Sequence, residues 1–369
     1  SYINSLAPRN LVVAIDVPSG LDSDAGEAGG DVVMADITAT MGLPKRGLLA
    51  ASAVEYVGSV DVVDIGIPLE LVERVESDLE LITLQDLRRM VKRRPRASHT
   101  VLYGHVLVIG GAAGYSGAAS MAAEAAARSG AGLVSVLTPA CVAPIVAATI
   151  PEAMVHAGSQ TAAGTLAADA LGRWGRNLAD FSVILVGPGM TAHDDTRAIV
   201  TEVLARSSAP VVLDADALNV CGGHMSLLTQ AACPFVLTPH PGEMARLEGV
   251  PVEEIQADRF GAARRLSDRL QGTVVLKGAG TVVAAKGRPL QVNLTGNPGM
   301  ATGGMGDVLS GLIAGLIAQG WNGFDGARMG VYLHGRAGDN VAWRSSQAGM
   351  IAGDVVNELA SVFRDISVR

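Results

Sequence analysis

Eight short runs of aliphatic and β-branched residues punctuate the chain, and nearly every one ends in Gly, Pro or Asp. They are VVAID (12–16), VDVVDIG (60–66), VLVIGG (106–111), LVSVLTP (133–139), VILVGPG (183–189), VVLDAD (211–216), FVLTPHPG (235–242) and TVVLKG (273–278). Between them lie stretches with helical spacing, such as MAAEAAARSG, DDTRAIVTEVLARS and DRFGAARRLSDRL. Continuous apolar strands separated by helices predict a parallel sheet buried on both faces. In that architecture ligands sit at the carboxyl ends of the strands, where these runs place their Gly, Pro and Asp residues. TVVAAKGRPLQVN (281–293) breaks the pattern and reads as a hairpin with Lys286 and Gly287 in its turn. Residues 303–368 read as three helices.

Composition narrows the class. At 49% hydrophobic and 17% charged residues, the chain is core-rich rather than disordered, and 369 residues are enough for two domains. A formal charge of −8 repels nucleic acid, so a nucleotide ligand must be drawn in by a local site. Cys141, Cys221 and Cys233 form no CxxC pair, which points to a reducing cytoplasm. The apolar run 308–318 is shorter than the roughly 20 residues a membrane helix needs. The N-terminus, SYINSLAPRN, shows no secretory leader and no initiator Met, so the chain is expected to be a fragment with neither membrane nor nucleic-acid partners. A charged, glycine-free segment over residues 70–96 marks a domain boundary, with domains at 1–78 and 79–369. Its basic end (Arg88, Arg89, Lys92, Arg93, Arg94, Arg96) reads as a solvated helix and linker.

One stretch carries chemistry. In GNPGMATGGMGDVLSGLIAGLIAQG (296–320), Gly303, Gly304 and Gly306 precede a helix expected to start near Asp307. Their N–H groups can converge on an anion, helped by the positive end of the helix dipole. A carboxylate is a poor phosphate ligand, so Asp307 reads as a base that takes a proton from a hydroxyl attacking phosphorus. A simple helix cap is the alternative. No GK[ST] occurs, which excludes a Walker A loop. The glycines of GGAAGYSG (110–117) do not match GxGxxG, and the next strand ends in Thr138 and Pro139 without an acid, which argues against a Rossmann dehydrogenase and leaves the loop to approach a ligand or to pack strand on helix.

Other candidates cluster at strand ends. Asp214 and Asp216 suit either a Mg²⁺-linked water, a substrate hydroxyl or paired caps. In TPHPGE two prolines fix a loop that aims His240 and Glu243. KGAGT (277–281) offers a cation and small residues to a nucleotide, or forms an ordinary turn. The remaining histidines have no metal-ligand spacing.

Taken in order, GHVLVIGGAAGYSGAA, ARSGAGLVSV, VGPGM, VLDADALN, LTPHPGEMARL, VLKGAGT and GNPGMATGGMGDVLSG resemble the ADP- or ATP-dependent NAD(P)H-hydrate dehydratases. The resemblance covers roughly residues 79–369. VVAIDVPSGLDSDAG (12–26) and ADITATMGLPKRGL resemble the C-terminal half of the NAD(P)H-hydrate epimerase domain that often precedes the dehydratase. The expected fold is therefore α/β: a ribokinase-like three-layer α/β/α domain preceded by part of a Rossmann-like α/β/α epimerase domain.

The resemblance implies nicotinamide nucleotide repair. The S form of hydrated NADH or NADPH is dehydrated at the expense of ADP with Mg²⁺, releasing AMP and phosphate, in a cytoplasmic homo-oligomer of four or more copies. It implies Asp307, Ala118, Gly189 and His240 on the hydrate, and Gly306 with Lys277, Gly278, Ala279, Gly280 and Thr281 on the nucleotide. In the epimerase part it implies Asp16 on substrate and Ser19 on K⁺. Because most of that site would lie upstream, no useful epimerase activity is expected of the chain as it stands. Two positions depart from the family pattern. Thr100 and Val101 stand where Lys-Gly is usual, and Thr191 stands where Gly is usual in the loop near the hydrate. A ribokinase-like kinase of a small vitamin alcohol, or a non-catalytic dinucleotide-binding protein, are the competing readings.

Overall fold

The computed structural model describes residues 2–6, 10–91 and 93–367. Lys92 of the basic stretch and Val368 at the end of the three-helix reading lie outside them. The described residues form two sheets. In the small one, β1 (Val13–Ile15), β2 (Ile37–Met41) and β3 (Ser59–Val63) run parallel in the order β1-β2-β3. Leu21, Val32, Leu48, Ala53 and Val57 make its core. β2 was not among the eight apolar runs because Thr38 and Thr40 supply its inward face. Both are fully buried, and the Thr38 hydroxyl donates to the Val57 carbonyl.

The large sheet contains β4 (Leu79–Leu81), β5 (His105–Ile109), β6 (Leu133–Pro139), β7 (Met154–Gly158), β8 (Val183–Val186), β9 (Val211–Leu213), β10 (Phe235–Leu237), β11 (Thr273–Leu276), β12 (Thr281–Ala284) and β13 (Leu290–Asn293). Their order is β4-β13-β12-β11-β10-β9-β8-β5-β6-β7. The hairpin over 281–293 forms as expected, β12 pairing antiparallel with both β11 and β13. The other pairings are parallel. β4 arises inside the charged segment, followed by α1 (Leu84–Met90), whose Leu87 is fully buried. Arg88 and Arg89 of the segment's basic end are exposed on α1, as a solvated helix requires.

The helices that position the site are α2 (Ser116–Arg128), α3 (Asp194–Arg206), α4 (Asp216–Cys221), α5 (Pro241–Glu248), α6 (Arg259–Leu270), α7 (Met305–Ala318), α8 (Gly323–Arg344) and α9 (Ala352–Ile366). Strand side chains alternate between faces. Val106 and Val108 join a core with α2, α7, α8 and α9, while Leu107 and Ile109 join a second core with α3 to α6. The result is three layers, helices on both faces of the sheet. α7 can lie flat on α2 only because Gly311 and Gly315 lack side chains. A Cβ at Gly311 would stand 2.1 Å from the Ala122 carbonyl oxygen, and one at Gly315 would stand 1.8 Å from Ser129 Oγ.

Chain order sets the crevice. From β5 the chain moves outward through β6 and β7, then returns to the other side of β5 as β8. The loops after β5 and β8 therefore leave in opposite senses, and the gap at the strands' carboxyl ends is where such sheets bind ligands.

Candidate active site

The first turn of α7 faces the carboxyl ends of β9 and β11, where Gly306 stands against Lys277 and Asp214. Helix α7 begins two residues earlier than expected, at Met305, so Gly306 and Asp307 lie inside its first turn. Gly304, at φ +91°, turns the chain into the helix, and no side chain caps it. The leading amides are thus left for another acceptor, and they carry the helix's partial positive charge. The loop before it is tied down from α8. Asp339 accepts from the Gly296 N–H at 3.0 Å and from Asn297 Nδ2 at 3.0 Å.

Asp214, at the end of β9, is 1% exposed, and its Oδ1 accepts from both Thr238 Oγ1 and Lys277 Nζ at 2.8 Å. Lys277, at the end of β11, also lies 3.6 Å from Glu243 Oε2. A Cβ on Gly306 would stand 3.3 Å from Lys277 Nζ and 3.9 Å from Asp214 Oδ2, so glycine there leaves the ammonium against the first turn of α7. One cation thus serves several carboxyls. Burial pushes Asp307 up to about 7; the charge of Asp214 adds to this, and Lys277 opposes it. Burial likewise lifts Glu243 to about 7 against the pull of Lys277. Burial works against the Lys277 ammonium, but Asp214 and Glu243 outweigh it and raise its pKa. A carboxyl that titrates near neutrality beside a fixed ammonium and open helix amides can exchange a proton with a bound hydroxyl.

His240 caps α5: its Nδ1 accepts from the N–H groups of Gly242 (3.0 Å) and Glu243 (3.3 Å). That leaves the ring proton on Nε2, the outer nitrogen of a side chain 51% exposed. Burial, then the charges of Lys277 and Arg246, lower its pKa, so the ring is neutral at neutral pH. Glu243 completes the capping box, its Oε2 accepting from the His240 N–H at 2.8 Å. Ala118 and Gly189 meet: a Cβ on Gly189, at φ +64°, would stand 2.9 Å from Ala118 Cβ. Ala118 lies one turn before Met121 on α2, and Met121 packs on Gly304. Gly278 and Ala279 are exposed at the end of β11, and Gly280 faces the Leu49 carbonyl of the small lobe. Thr281 Oγ1 donates to the Gly278 carbonyl at 2.8 Å and closes the turn.

The structure brings together Lys277, Gly306, Asp307 and the carboxyls of Asp214 and Glu243. It keeps Asp16 apart. That carboxylate follows β1 and, among the described residues, accepts from the small lobe's Lys45 Nζ, Met41 N (3.0 Å) and Thr40 Oγ1 (3.2 Å). Ser19 is exposed on a turn there, its carbonyl accepting from Val33 N at 3.0 Å. Asp216 is occupied as a bracket, its Oδ2 accepting from Thr191 N at 2.8 Å and its Oδ1 from Asn219 Nδ2 at 3.1 Å. Thr191 sits at φ +63°, the backbone that favours glycine. Arg259, which sequence reasoning passed over, is buried beneath the 277–281 loop and donates to the carbonyls of Leu276 and Lys277. Its only sequence signal was a basic residue inside an apolar helix face.

Among the described residues, no cluster of three or more His, Cys, Asp or Glu side chains could cage a metal ion. With Asp214 and Asp216 both committed to protein donors, this donor set suits Mg²⁺ carried by nucleotide phosphates and water rather than a protein-held ion.

Comparison with known proteins gives the family and the fold. The sequence model described as NAD(P)H-hydrate dehydratase matches residues 106–360, and that described as YjeF-related protein N-terminus matches residues 1–47. A bifunctional NAD(P)H-hydrate repair enzyme from Moorella thermoacetica is 43% identical over 354 residues, which cover 96% of this chain and 67% of that protein. The ADP/ATP-dependent NAD(P)H-hydrate dehydratase of Bacillus subtilis, co-crystallised with ATP/Mg²⁺, superposes with a TM-score of 0.68 at 30% identity, over 78% of this chain and 98% of that one. A ribokinase-like superfamily protein from Enterococcus faecalis gives 0.70 at 28% identity, over 79% and 98%. This chain belongs to the NAD(P)H-hydrate dehydratase family and has its ribokinase-like fold.

Proposed function

We propose that the chain repairs nicotinamide nucleotides by dehydrating hydrated NADH or NADPH at the expense of ADP or ATP. Asp307 is the observation that carries this: a carboxyl that titrates near neutrality, in the first turn of an uncapped buried helix, beside Lys277. Asp307 takes the proton of the ring hydroxyl. The hydroxyl oxygen bonds to the terminal phosphorus of the nucleotide, and the bond from that phosphorus to the bridging oxygen breaks, leaving AMP when ADP is used. The ring nitrogen's lone pair then expels the new phosphate ester as inorganic phosphate, leaving an iminium, and loss of a proton from the adjacent ring carbon to water or phosphate restores the carbon–carbon double bond of the reduced ring. Amides around Gly303, Gly304 and Gly306 hold the phosphoryl oxygens. Mg²⁺ on the nucleotide supplies further charge neutralisation. His240, Ala118 and Gly189 line the hydrate side. Lys277, Gly278, Ala279, Gly280 and Thr281 hold the nucleotide.

The test is to incubate the S hydrate with Mg²⁺ and either ADP or ATP, and to follow the return of the reduced nicotinamide absorbance together with AMP and phosphate. A stable phosphorylated product would instead favour a kinase, and binding without turnover a non-catalytic protein. In the N-terminal part, Asp16 would contact substrate and Ser19 would help hold K⁺ in an epimerase site. Repair of the R hydrate above its uncatalysed epimerisation measures whether that site works in this chain. A cytoplasmic homo-oligomer of four or more copies completes the reading. Trp343, 87% exposed, and the exposed Ile351 offer apolar surface for such contacts, and light scattering checks the state.

A further inference from the structure

Glu243 does more than its local role requires. The capping box needs one acceptor for the His240 N–H, and a glutamine would supply it. A buried carboxylate costs desolvation that a neutral amide avoids. Yet this side chain is nearly fully buried, and it contacts both halves of the site, Oε2 alone reaching the His240 N–H and Lys277. Oε1 lies 3.6 Å from His240 Nε2, and Oε2 lies 3.6 Å from Lys277 Nζ. Lys277 is thereby held from two directions, by Asp214 at the end of β9 and by Glu243 at the start of α5, directly over Gly306.

We propose that Glu243 is a positioning residue for the dehydration, joining the hydrate side at His240 to the phosphoryl side at Lys277 and Gly306. The inference rests on the reaction assigned above. In its ionised form the carboxylate keeps the Lys277 ammonium centred between the two halves, where it faces the transferring phosphoryl. The same charge acts on Asp307. The groups around this pair are Asp214, Asp216 and Lys277 from neighbouring strand ends and helix starts, His240 and Arg246 from α5, and His334, which faces Lys277 from α8. Glu243 is one of the carboxyls that lift Asp307 toward neutrality, as burial and Asp214 also do.

The experiment compares the parent with Glu243→Gln, Glu243→Asp and Glu243→Ala. It measures kcat and KM for hydrate and nucleotide, the pH profile of kcat, and thermal stability. Glu243→Gln keeps the cap and loses the charge. It should fold with parental stability or better, lose up to about 10²-fold in kcat, the scale of a catalytic group misplaced by about an ångström, and leave the nucleotide KM no higher. Its acid limb should move to lower pH, because a negative neighbour of Asp307 is gone. Glu243→Asp should restore the acid limb and part of kcat. Parental kcat and an unmoved acid limb in Glu243→Gln would overturn the proposal. So would a loss of kcat in Glu243→Gln that is accompanied by a stability loss equal to that in Glu243→Ala, which would reduce the charge to a role in holding the fold. A parent that shows no dehydration sinks the assigned reaction, and this proposal with it. A parent that turns over alongside an indifferent Glu243→Gln sinks the proposal alone.

Discussion

Lys45 and Lys277 each meet acids at the end of a sheet, and Asp16 beside the first is shifted opposite to Asp307 and Glu243 around the second. In the small lobe, Asp16 is 40% exposed, and the Lys45 ammonium, with the Met41 N–H, holds its carboxyl below the usual range. In the large domain, Lys277 is shared by Asp214 and Glu243 with Asp307 close by, and burial leaves Asp307 and Glu243 near 7. One cation per acid in a wet setting yields a permanent carboxylate. One cation among several buried acids yields groups that hold protons at neutral pH and can exchange them. The difference lies in stoichiometry and solvent, since both sites use the same residue types.

The largest effect should separate the two sites outright. Asp307→Asn should lower kcat for dehydration by roughly 10²–10⁴-fold, the scale of a general base, with nucleotide affinity changed only a few-fold. Asp16→Asn should leave dehydration untouched. Steady-state kinetics with calorimetric nucleotide binding decides, and equal losses from the two variants would erase the contrast.

Lys277→Ala should come next. It removes the only partner cation the buried acids share in the contacts described above, and breaking a buried pair costs about 3–5 kcal/mol. Denaturant unfolding should show most of that loss at about pH 8 and less at about pH 6, where Asp307 and Glu243 take up protons instead. Its KM for nucleotide should rise more than that for hydrate. The reverse pattern would place Lys277 on the hydrate.

The stability sign of Asp307 follows from linkage. Its folded pKa lies above the unfolded one, so the stability it contributes is full below about pH 4 and is lost as pH rises through about 7. Asp307→Asn should therefore stabilise the protein at about pH 8, by about 1–2 kcal/mol, and have little effect at low pH. For Asp16 the sign is opposite: its lowered pKa contributes stability above the unfolded value that is lost as pH falls. That contribution stays within about 1 kcal/mol because water screens the pair.

The smallest effect concerns strain. Asp16 at φ +70° and Thr191 at φ +63° both occupy left-handed backbone beside a candidate site. Asp tolerates it, whereas a β-branched residue does not. Thr191→Gly should stabilise by up to about 1 kcal/mol, relief of the left-handed cost exceeding the entropy gained by the unfolded chain. A destabilised variant would show that the Thr196 Oγ1 bond to the Thr191 carbonyl, at 2.7 Å, is locked in by the threonine side chain.

Much of this was legible in the chain itself. All eight apolar runs became strands, because a strand buried on both faces has to be apolar throughout. β2, β4 and β7 escaped notice for definite reasons. β2 turns threonines inward, β4 is three residues inside a charged segment, and β7 is half-buried at the sheet's edge. The glycines before Asp307, and the proline-framed His240 and Glu243, were visible as local patterns because turn geometry and helix starts are local. The sharing of Lys277 was not. Asp214, Glu243 and Lys277 are spread over more than sixty positions, and only the neighbouring order β9-β10-β11 brings their strand ends together. Nor could spacing reveal that Glu243 meets both His240 and Lys277. The sequence by itself determined the layers, the glycine turn and the place of Asp307 just behind it. The tertiary structure decided how many carboxyls share one ammonium and how much water reaches them, and those two quantities set the charge state on which proton transfer depends.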